Sequence, residues 1–204
     1  CRTDERAPLT FARTKIQPPR ARPGALLQRP ALQQRLVHAF GSTPLVLVCA
    51  TAGFGKTSAL TQAIERLQTS PEGTAVAWIG CDEGDTPLQL FSCLVAALEP
   101  FDLPWRTAPE SLISAALSGQ GSEEAQRKAL RAMVTELINA LDAADVAHGV
   151  IMVDDLHRID HPAVFQFLDL LLERFTPRWT MAIATRHEPP IALARYRARS
   201  EIAE

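Results

Sequence analysis

The 204-residue sequence lacks both an excess of charge of one sign and a long apolar segment. Its 21 basic and 23 acidic residues leave a net charge of −2, which excludes a charged-tail protein and gives no overall electrostatic support for nucleic-acid binding. The longest uncharged run, Ala39 to Gly55, has about 17 residues and contains Pro44, whereas a membrane-spanning helix needs roughly 20 with few breakers. With 47% hydrophobic residues, the composition predicts a soluble globular protein.

Cysteine is scarce and has no metal-binding or redox spacing. The four cysteines, Cys1, Cys49, Cys81 and Cys93, form no CxxC pair. The last three lie within apolar runs, which predicts buried free thiols. Free thiols favour a reducing compartment, so we expect a cytoplasmic location.

The first 24 residues differ in composition from the rest of the chain. They contain four prolines among six basic residues, and proline fixes φ and lacks an N–H, so residues 1–24 are predicted to form an extended arm. Residues 25–204 are predicted to form one domain. The chain starts at Cys1 and has no methionine before Met133, so we expect a piece of a longer protein. No apolar stretch follows a basic start, so we expect a signal peptide to be absent or already removed.

Short apolar runs alternate with helical patterns along the domain. Continuous apolar runs without alternation predict strands covered on both faces, at 45–49, 75–79, 150–153 and 179–184, with a further strand starting near 200–204. Helices are predicted at 32–40, 56–67, 86–98, 111–117, 122–144 and 162–175. This order predicts an α/β fold with a parallel sheet, in which ligands bind beyond the carboxyl ends of the strands.

The first strand leads into the pattern of a phosphate-binding loop. The segment Ala50-Thr51-Ala52-Gly53-Phe54-Gly55-Lys56-Thr57 joins a buried strand to a helix. Two glycines allow successive N–H groups to face one anion at a helix N-terminus. Lys56 is predicted to contact the β- and γ-phosphates, and Thr57 to bind Mg²⁺. The predicted nucleotide contacts are Ala52, Gly53, Phe54, Gly55, Lys56, Thr57 and Ser58. The alternative is a glycine-rich turn without a ligand, which the flanking strand and helix disfavour.

Two further strand ends supply polar groups. Asp154 and Asp155 follow the third strand, where Asp154 is predicted to hold Mg²⁺ and Asp155 to polarise an attacking water. Arg186 follows the fourth strand and is a candidate for sensing the γ-phosphate, because its charge is permanent and its donors are forked. Taken alone, the carboxylates could be a solvated pair, and Arg186 fits an ordinary surface arginine better.

Two other polar clusters have simpler explanations. His157 and His161 lie four residues apart, but His161 precedes a proline and is predicted to cap a helix or lie at the surface. The run 82–85 lacks the alternating ligand spacing of a calcium loop and is predicted to be a solvated turn.

In combination, these motifs resemble the large ATP-binding transcriptional regulators of the MalT type, in the LuxR superfamily and the STAND class of P-loop NTPases. The similarity rests on five segments: Thr14-Lys15-Ile16-Gln17-Pro18-Pro19; Ala52-Gly53-Phe54-Gly55-Lys56-Thr57; Trp78 with Asp82-Glu83-Gly84-Asp85; Val153-Asp154-Asp155-Leu156-His157; and Thr185-Arg186. The phosphate loop alone is shared by many families, and the ordered combination is far more specific.

The resemblance implies a three-layer P-loop NTPase with strand order 5-1-4-3-2 and a last strand cut short in this sequence. It implies binding of ATP and ADP with Mg²⁺, an ATP-bound state that self-associates and activates transcription, and a slow ATPase activity that resets it. It also implies that Arg29 lies near the nucleotide. DNA binding would belong to a C-terminal domain absent from this sequence.

Two rival functions remain open at the level of sequence. One is a fast P-loop ATPase of the AAA+ kind or a small-molecule kinase, although no segment is identified that would bind a phosphate acceptor. The other is a degenerate P-loop scaffold, which is disfavoured because Lys56, Thr57 and Asp154 are all present.

Overall fold

The computed structural model describes residues 11–19, 29–69, 73–118 and 122–204. The rest of the predicted arm, together with Cys1, lies outside the described residues. The strands are β1 (Leu45–Cys49), β2 (Ala75–Gly80), β3 (Gly149–Asp154), β4 (Trp179–Thr185) and β5 (Ile202–Ala203). The α-helices are α1 (Pro30–Ser42), α2 (Lys56–Gln68), α3 (Pro87–Leu98), α4 (Pro109–Ser118), α5 (Glu123–Ala143), α6 (Pro162–Glu173) and α7 (Leu193–Ala198).

The five strands form one parallel sheet in the order β2-β3-β4-β1-β5. The predicted fold class and strand order are therefore confirmed. The order places β4 between β1 and β3, so the segments that follow these three strands lie side by side at one edge. Strand β5 is short and pairs with Leu45 and Val46 of β1.

Helices cover both faces of the sheet. Alternate residues of β1 point to opposite sides: Val46 packs with α1 and α2, whereas Leu45 and Leu47 join the larger core formed with α3, α5 and α6. Strands β3 and β4 are buried along their whole length, which explains their uninterrupted apolar sequences. The result is the predicted three-layer arrangement.

Local capping chemistry fixes where several helices begin. Thr86 and Gln89 form a reciprocal capping box at the start of α3. The Ser122 hydroxyl accepts from the Ala125 N–H at α5, and His161 Nδ1 accepts from the Ala163 N–H at α6. These three predicted caps are confirmed. None of the described helices has the length and apolar character needed to cross a bilayer.

The predicted burial of the thiols is right for two cysteines and wrong for one. Cys81 and Cys93 are buried, and burial raises the pKa of Cys93 to about 12. Cys49 is exposed. It is the last residue of β1, where the strand leaves the part of the sheet that the helices cover. Apolar neighbours in the sequence do not indicate where that cover ends.

The described part of the arm packs against the domain. Arg13–Ile16 form one turn of 3-10 helix between extended residues Ala12 and Gln17, and this turn lies against β2 and α3. Lys15 places its Nζ 2.5 and 2.7 Å from the carboxylate oxygens of Asp85, which is buried. The proline content predicts the extended flanks but not the turn or this ion pair.

Candidate functional site

The loop between β1 and α2 has the backbone shape of an anion-binding site. Gly53 and Gly55 adopt φ values of +83° and +76°, a left-handed region that costs little only for glycine. Nothing lies within 4 Å of where a Cβ would project from either residue, so the space beside both glycines is open. Gly55 is also the N-cap of α2. It has no side-chain oxygen for the first-turn N–H groups, which leaves them suited to an anion.

The Lys56 side chain binds carbonyl oxygens of the same loop. Its side chain is nearly buried, and its Nζ donates to the carbonyl oxygens of Ala50 at 2.6 Å and Thr51 at 3.1 Å. An ammonium group has three N–H donors, so one remains for a phosphate oxygen. The positive charge of Lys56 is therefore held at the phosphate loop.

The predicted metal residues are brought into direct contact across the sheet edge. Thr57 Oγ1 donates to Asp154 Oδ2 at 2.9 Å, and Asp154 Oδ1 accepts from the Asp155 N–H at 2.9 Å. Burial raises the pKa of Asp154, and the Thr57 hydrogen bond opposes that shift. A buried carboxylate beside a hydroxyl oxygen is a ligand pair that Mg²⁺ prefers. The residues present therefore fit a magnesium ion.

Asp155 and Arg186 lie at the same sheet edge, after β3 and β4. Asp155 adopts a left-handed conformation with φ +56°, which turns the chain away from the strand and leaves its side chain 42% exposed. Arg186 is exposed and makes no ion pair within the described part of the chain. Neither side chain is committed to a structural role, so both are available to a ligand.

Arg29 and the remaining loop residues lie at the outer side of the loop. Arg29 Nη1 is 3.4 Å from the Phe54 carbonyl oxygen, so the chain ahead of α1 contacts the loop. Phe54 is 62% exposed, and Ala52 is exposed as well. Ser58 is half-buried in the first turn of α2. The structure thus gathers every predicted site residue at the carboxyl edge of the sheet.

His157 belongs to this neighbourhood, although the sequence predicts no role for it in the reaction. It lies in the 3-10 turn Leu156–Arg158 with Nδ1 3.8 Å from Asp155 Oδ1. Its ring meets that of His187 edge to face at 6.2 Å. Burial, and then the charge of Arg186, lower the pKa of His157, so the imidazole is neutral near pH 7. Its place two residues after Asp155 is the sequence feature that could have identified it.

The 11–19 segment also reaches this edge, which its composition did not predict. Together with β2, Asp154 and Asp155, it lines a cavity of about 460 Å³. Asp82, one of the lining residues, pairs with two basic side chains: its Oδ2 is 3.3 Å from Lys15 Nζ, and its Oδ1 is 2.9 Å from Arg158 Nη1. The segment therefore forms a wall beside the candidate metal carboxylates.

Comparison with known proteins gives one family and several distant relatives. The family model described as "AAA ATPase domain" matches residues 25–183. The chain is 24% identical over 162 residues to the HTH-type transcriptional regulator MalT of Klebsiella pneumoniae (strain 342), covering 78% of this chain and 16% of that protein. It is 30% identical over 181 residues to the serine/threonine-protein kinase PknK of Mycobacterium tuberculosis (strain H37Rv), covering 89% of this chain and 15% of that protein. The chain thus spans about a sixth of the length of these curated relatives.

Solved structures match this chain at low sequence identity. The Walker-type ATPase PABY2304 of Pyrococcus abyssi is 14% identical, with a TM-score of 0.48 over 82% of this chain and 47% of that one. A DNA replication initiation factor is 12% identical, with a TM-score of 0.42 over 85% of this chain and 44% of that one.

Proposed function

We propose that this chain, which belongs to the AAA ATPase domain family, is the ATP/ADP-binding switch domain of a transcriptional regulator. In the proposed cycle, bound ATP favours an active, self-associating state, and slow magnesium-dependent hydrolysis returns the domain to its ADP state. The observation on which this depends most is the joint placement of Lys56, Thr57 and Asp154 around the open glycine loop.

The loop and Lys56 would bind the phosphate chain. Backbone N–H groups from Ala52 to Ser58 would donate to phosphate oxygens, and the α2 N-terminus would add a partial positive charge at the same point. Thr57 and Asp154 would hold Mg²⁺, which would supply positive charge to offset that of the phosphate groups. Arg29, which contacts the Phe54 carbonyl, would lie near the bound nucleotide.

Hydrolysis would use the two exposed groups at the neighbouring strand ends. Asp155 would accept a hydrogen bond from the attacking water and orient it. Arg186 would contact the γ-phosphate, the group that distinguishes ATP from ADP. A ligand shifts a two-state equilibrium only by its difference in affinity for the two states, so contacts made only to the γ-phosphate would operate the switch.

The link to transcription rests on similarity to a regulator. The MalT relative is named an HTH-type transcriptional regulator, and this chain matches only 16% of it. DNA binding is therefore assigned to a segment outside this sequence, and self-association to the ATP state. The rival is a fast P-loop ATPase, or a domain serving a kinase, since the PknK relative is named a serine/threonine-protein kinase.

The decisive first experiment measures thermal unfolding with and without Mg·ATP. Free ligand at 100 times its Kd stabilises a folded protein by about 2.7 kcal/mol, which corresponds to a rise in Tm of roughly 5–11 °C for this size of chain. Lys56→Ala is expected to lose that rise. Lys128→Ala, which removes an exposed lysine of α5, is the matched control and should keep it. An ATP-dependent rise that survives Lys56→Ala contradicts the assignment of the loop.

Steady-state turnover separates the switch from its rival. Typical enzymes turn over at about 1–1,000 per second, and a switch domain is expected to hydrolyse ATP far more slowly than one per second. Fast turnover by the wild-type chain would favour the ATPase alternative and contradict the proposal that slow hydrolysis returns the domain to its ADP state.

A further inference from the structure

Next to Asp155, the structure contains a buried imidazole nitrogen that has no partner. His157 has only 8% of its side chain exposed, and its Nδ1 is inaccessible to solvent and makes no hydrogen bond within the described part of the chain. Buried polar atoms in folded proteins are nearly always hydrogen-bonded. A lone unpartnered atom in a candidate site therefore requires an explanation.

The ring is held firmly while the neighbouring carboxylate is free. Leu156, which begins the 3-10 turn, and Ile159, which follows it, are buried, and the ring packs edge to face against His187. The Asp155 side chain is 42% exposed, and its carboxylate accepts no hydrogen bond from any described residue. Rotation of Asp155, rather than of His157, is therefore the movement that costs least.

The distance between the two groups is slightly too long for a hydrogen bond. His157 Nδ1 and Asp155 Oδ1 are 3.8 Å apart, whereas an N–H···O bond requires about 2.7–3.2 Å. A movement of the Asp155 side chain that brings Oδ1 closer by about 0.6–1.1 Å would close that gap. Catalytic hydrogen bonds are often long in unliganded sites and shorten in the loaded complex.

We propose that His157 is a positioning residue for the reaction: its Nδ1–H donates to Asp155 and fixes the carboxylate that orients the attacking water. This inference rests on the proposed hydrolysis and adds a residue to it. A neutral imidazole suffices, because one of its two nitrogens carries a proton. Burial, and then the charge of Arg186, lower the pKa of His157, so the ring is neutral. The contact with Asp155 is therefore a hydrogen bond and not an ion pair.

The test compares two substitutions that differ in one donor. In His157→Asn, the side-chain nitrogen is one bond beyond Cγ, as Nδ1 is in histidine, whereas His157→Leu has similar branching and no donor. Removing a residue that orients a reacting group typically costs about 10–100-fold in activity. Single-turnover hydrolysis should fall by that factor in His157→Leu and recover most of it in His157→Asn. The Tm without nucleotide and the Kd for a non-hydrolysable ATP analogue should match the wild type in both.

Two outcomes of that comparison overturn the proposal. In the first, His157→Leu hydrolyses ATP at the wild-type rate, which shows that the donor has no role. In the second, the two variants lose activity equally, which shows that the imidazole acts by its shape and not through Nδ1.

A spectroscopic measurement tests the contact without reference to turnover. With ¹⁵N-labelled histidine, Mg²⁺ and the ATP analogue, the His157 Nδ1–H should give a slowly exchanging signal that disappears in Asp155→Ala. A signal unaffected by Asp155→Ala would show that Nδ1 has another partner and would overturn the proposal. Failure of the wild type to bind the analogue would instead reject the proposed function, so the two failures are distinguishable.

Discussion

Thr57 and Asp154 are 97 residues apart in sequence, and the Thr57 hydroxyl donates to Asp154 Oδ2 at 2.9 Å. The first stands in the first turn of α2 and the second ends β3, with β4 between the strands that lead to them. The contact joins the phosphate loop to the opposite side of the site before any ligand arrives. Thr57 and Asp154 would hold a magnesium ion through their oxygen atoms, and their contact brings these two oxygens together in advance.

We predict that Asp154→Asn stabilises the chain without nucleotide while abolishing magnesium-dependent ATP binding. Burial raises the pKa of Asp154 above its usual value of 3.8, so the ionised form is disfavoured in the folded state. A neutral amide removes that cost and can still hydrogen-bond Thr57. Single substitutions of this kind commonly stabilise by about 0.5–2 kcal/mol. Urea unfolding gives the stability, and titration with ATP with and without Mg²⁺ gives the binding.

The sign of the pH dependence follows from the raised pKa of Asp154. Between the unfolded and folded pKa values, the folded wild type binds more protons, so its stability falls as the pH rises through that range. The amide that replaces this carboxyl group does not titrate, so the stability advantage of Asp154→Asn should widen as the pH is raised from about 4. A variant less stable than the wild type near pH 7 would contradict the argument.

Arg186→Ala is predicted to weaken ATP binding more than ADP binding. Arg186 lies directly after β4, between the loop that follows β1 and the carboxylates that follow β3. Hydrogen bonds to a charged group contribute about 1.5–3 kcal/mol, so the ATP affinity should fall by roughly 10–150-fold while ADP binding changes little. Calorimetry with both nucleotides measures the difference. Arg195→Ala, at an exposed site in α7, is the control, and equal losses for ATP and ADP in Arg186→Ala would remove its role as a γ-phosphate sensor.

The sheet and the phosphate loop could be predicted because their sequence patterns are local. Continuous apolar runs such as that of β3 predict buried strands, and Thr86-Pro87 predicts the start of a helix. The order of the strands was predicted only from the family resemblance, because an apolar run does not fix the position of its strand in a sheet. Helix α7 was missed because six residues at 193–198 are too few to show helical periodicity. The exposure of Cys49 and the burial of His157 depend on where the sheet edge and its covering turns lie, which local sequence does not encode.

The docking of the arm was equally beyond the sequence, because it depends on a buried ion pair 70 residues apart. Burial alone would lower the pKa of Lys15, but its hydrogen bonds to Asp85 outweigh this and raise the pKa, so Lys15 is charged throughout the physiological range. Asp85 also accepts from the Asp82 N–H at 2.8 Å. The lysine thus neutralises a carboxylate that the turn after β2 has already buried.

Lys15→Met is therefore predicted to destabilise the chain strongly. Removing one partner of a buried pair leaves an uncompensated charge, at a cost of about 3–5 kcal/mol. Asp82→Asn removes a partner that is 52% exposed and should cost less than about 1 kcal/mol. Urea unfolding compares the two. The double variant Lys15→Met/Asp85→Leu should recover much of the loss, and a Lys15→Met variant as stable as the wild type would show that the arm does not depend on this pair.

Gly149→Ala is predicted to destabilise the chain by overpacking at the start of β3. A Cβ at Gly149 would overlap the indole ring of Trp179, which is fully buried and donates its Nε1–H to the Leu141 carbonyl at 3.1 Å. The ring cannot move without breaking that bond, so the cost should reach about 1–3 kcal/mol. Gly41→Ala is the matched control. It lies in α1 with nothing within 4 Å of its added Cβ, and helix propensity should make it neutral or stabilising by up to about 1 kcal/mol. Urea unfolding of both variants gives the comparison, and equal stabilities would mean that the Trp179 ring can shift without cost, contrary to the packing described for this strand.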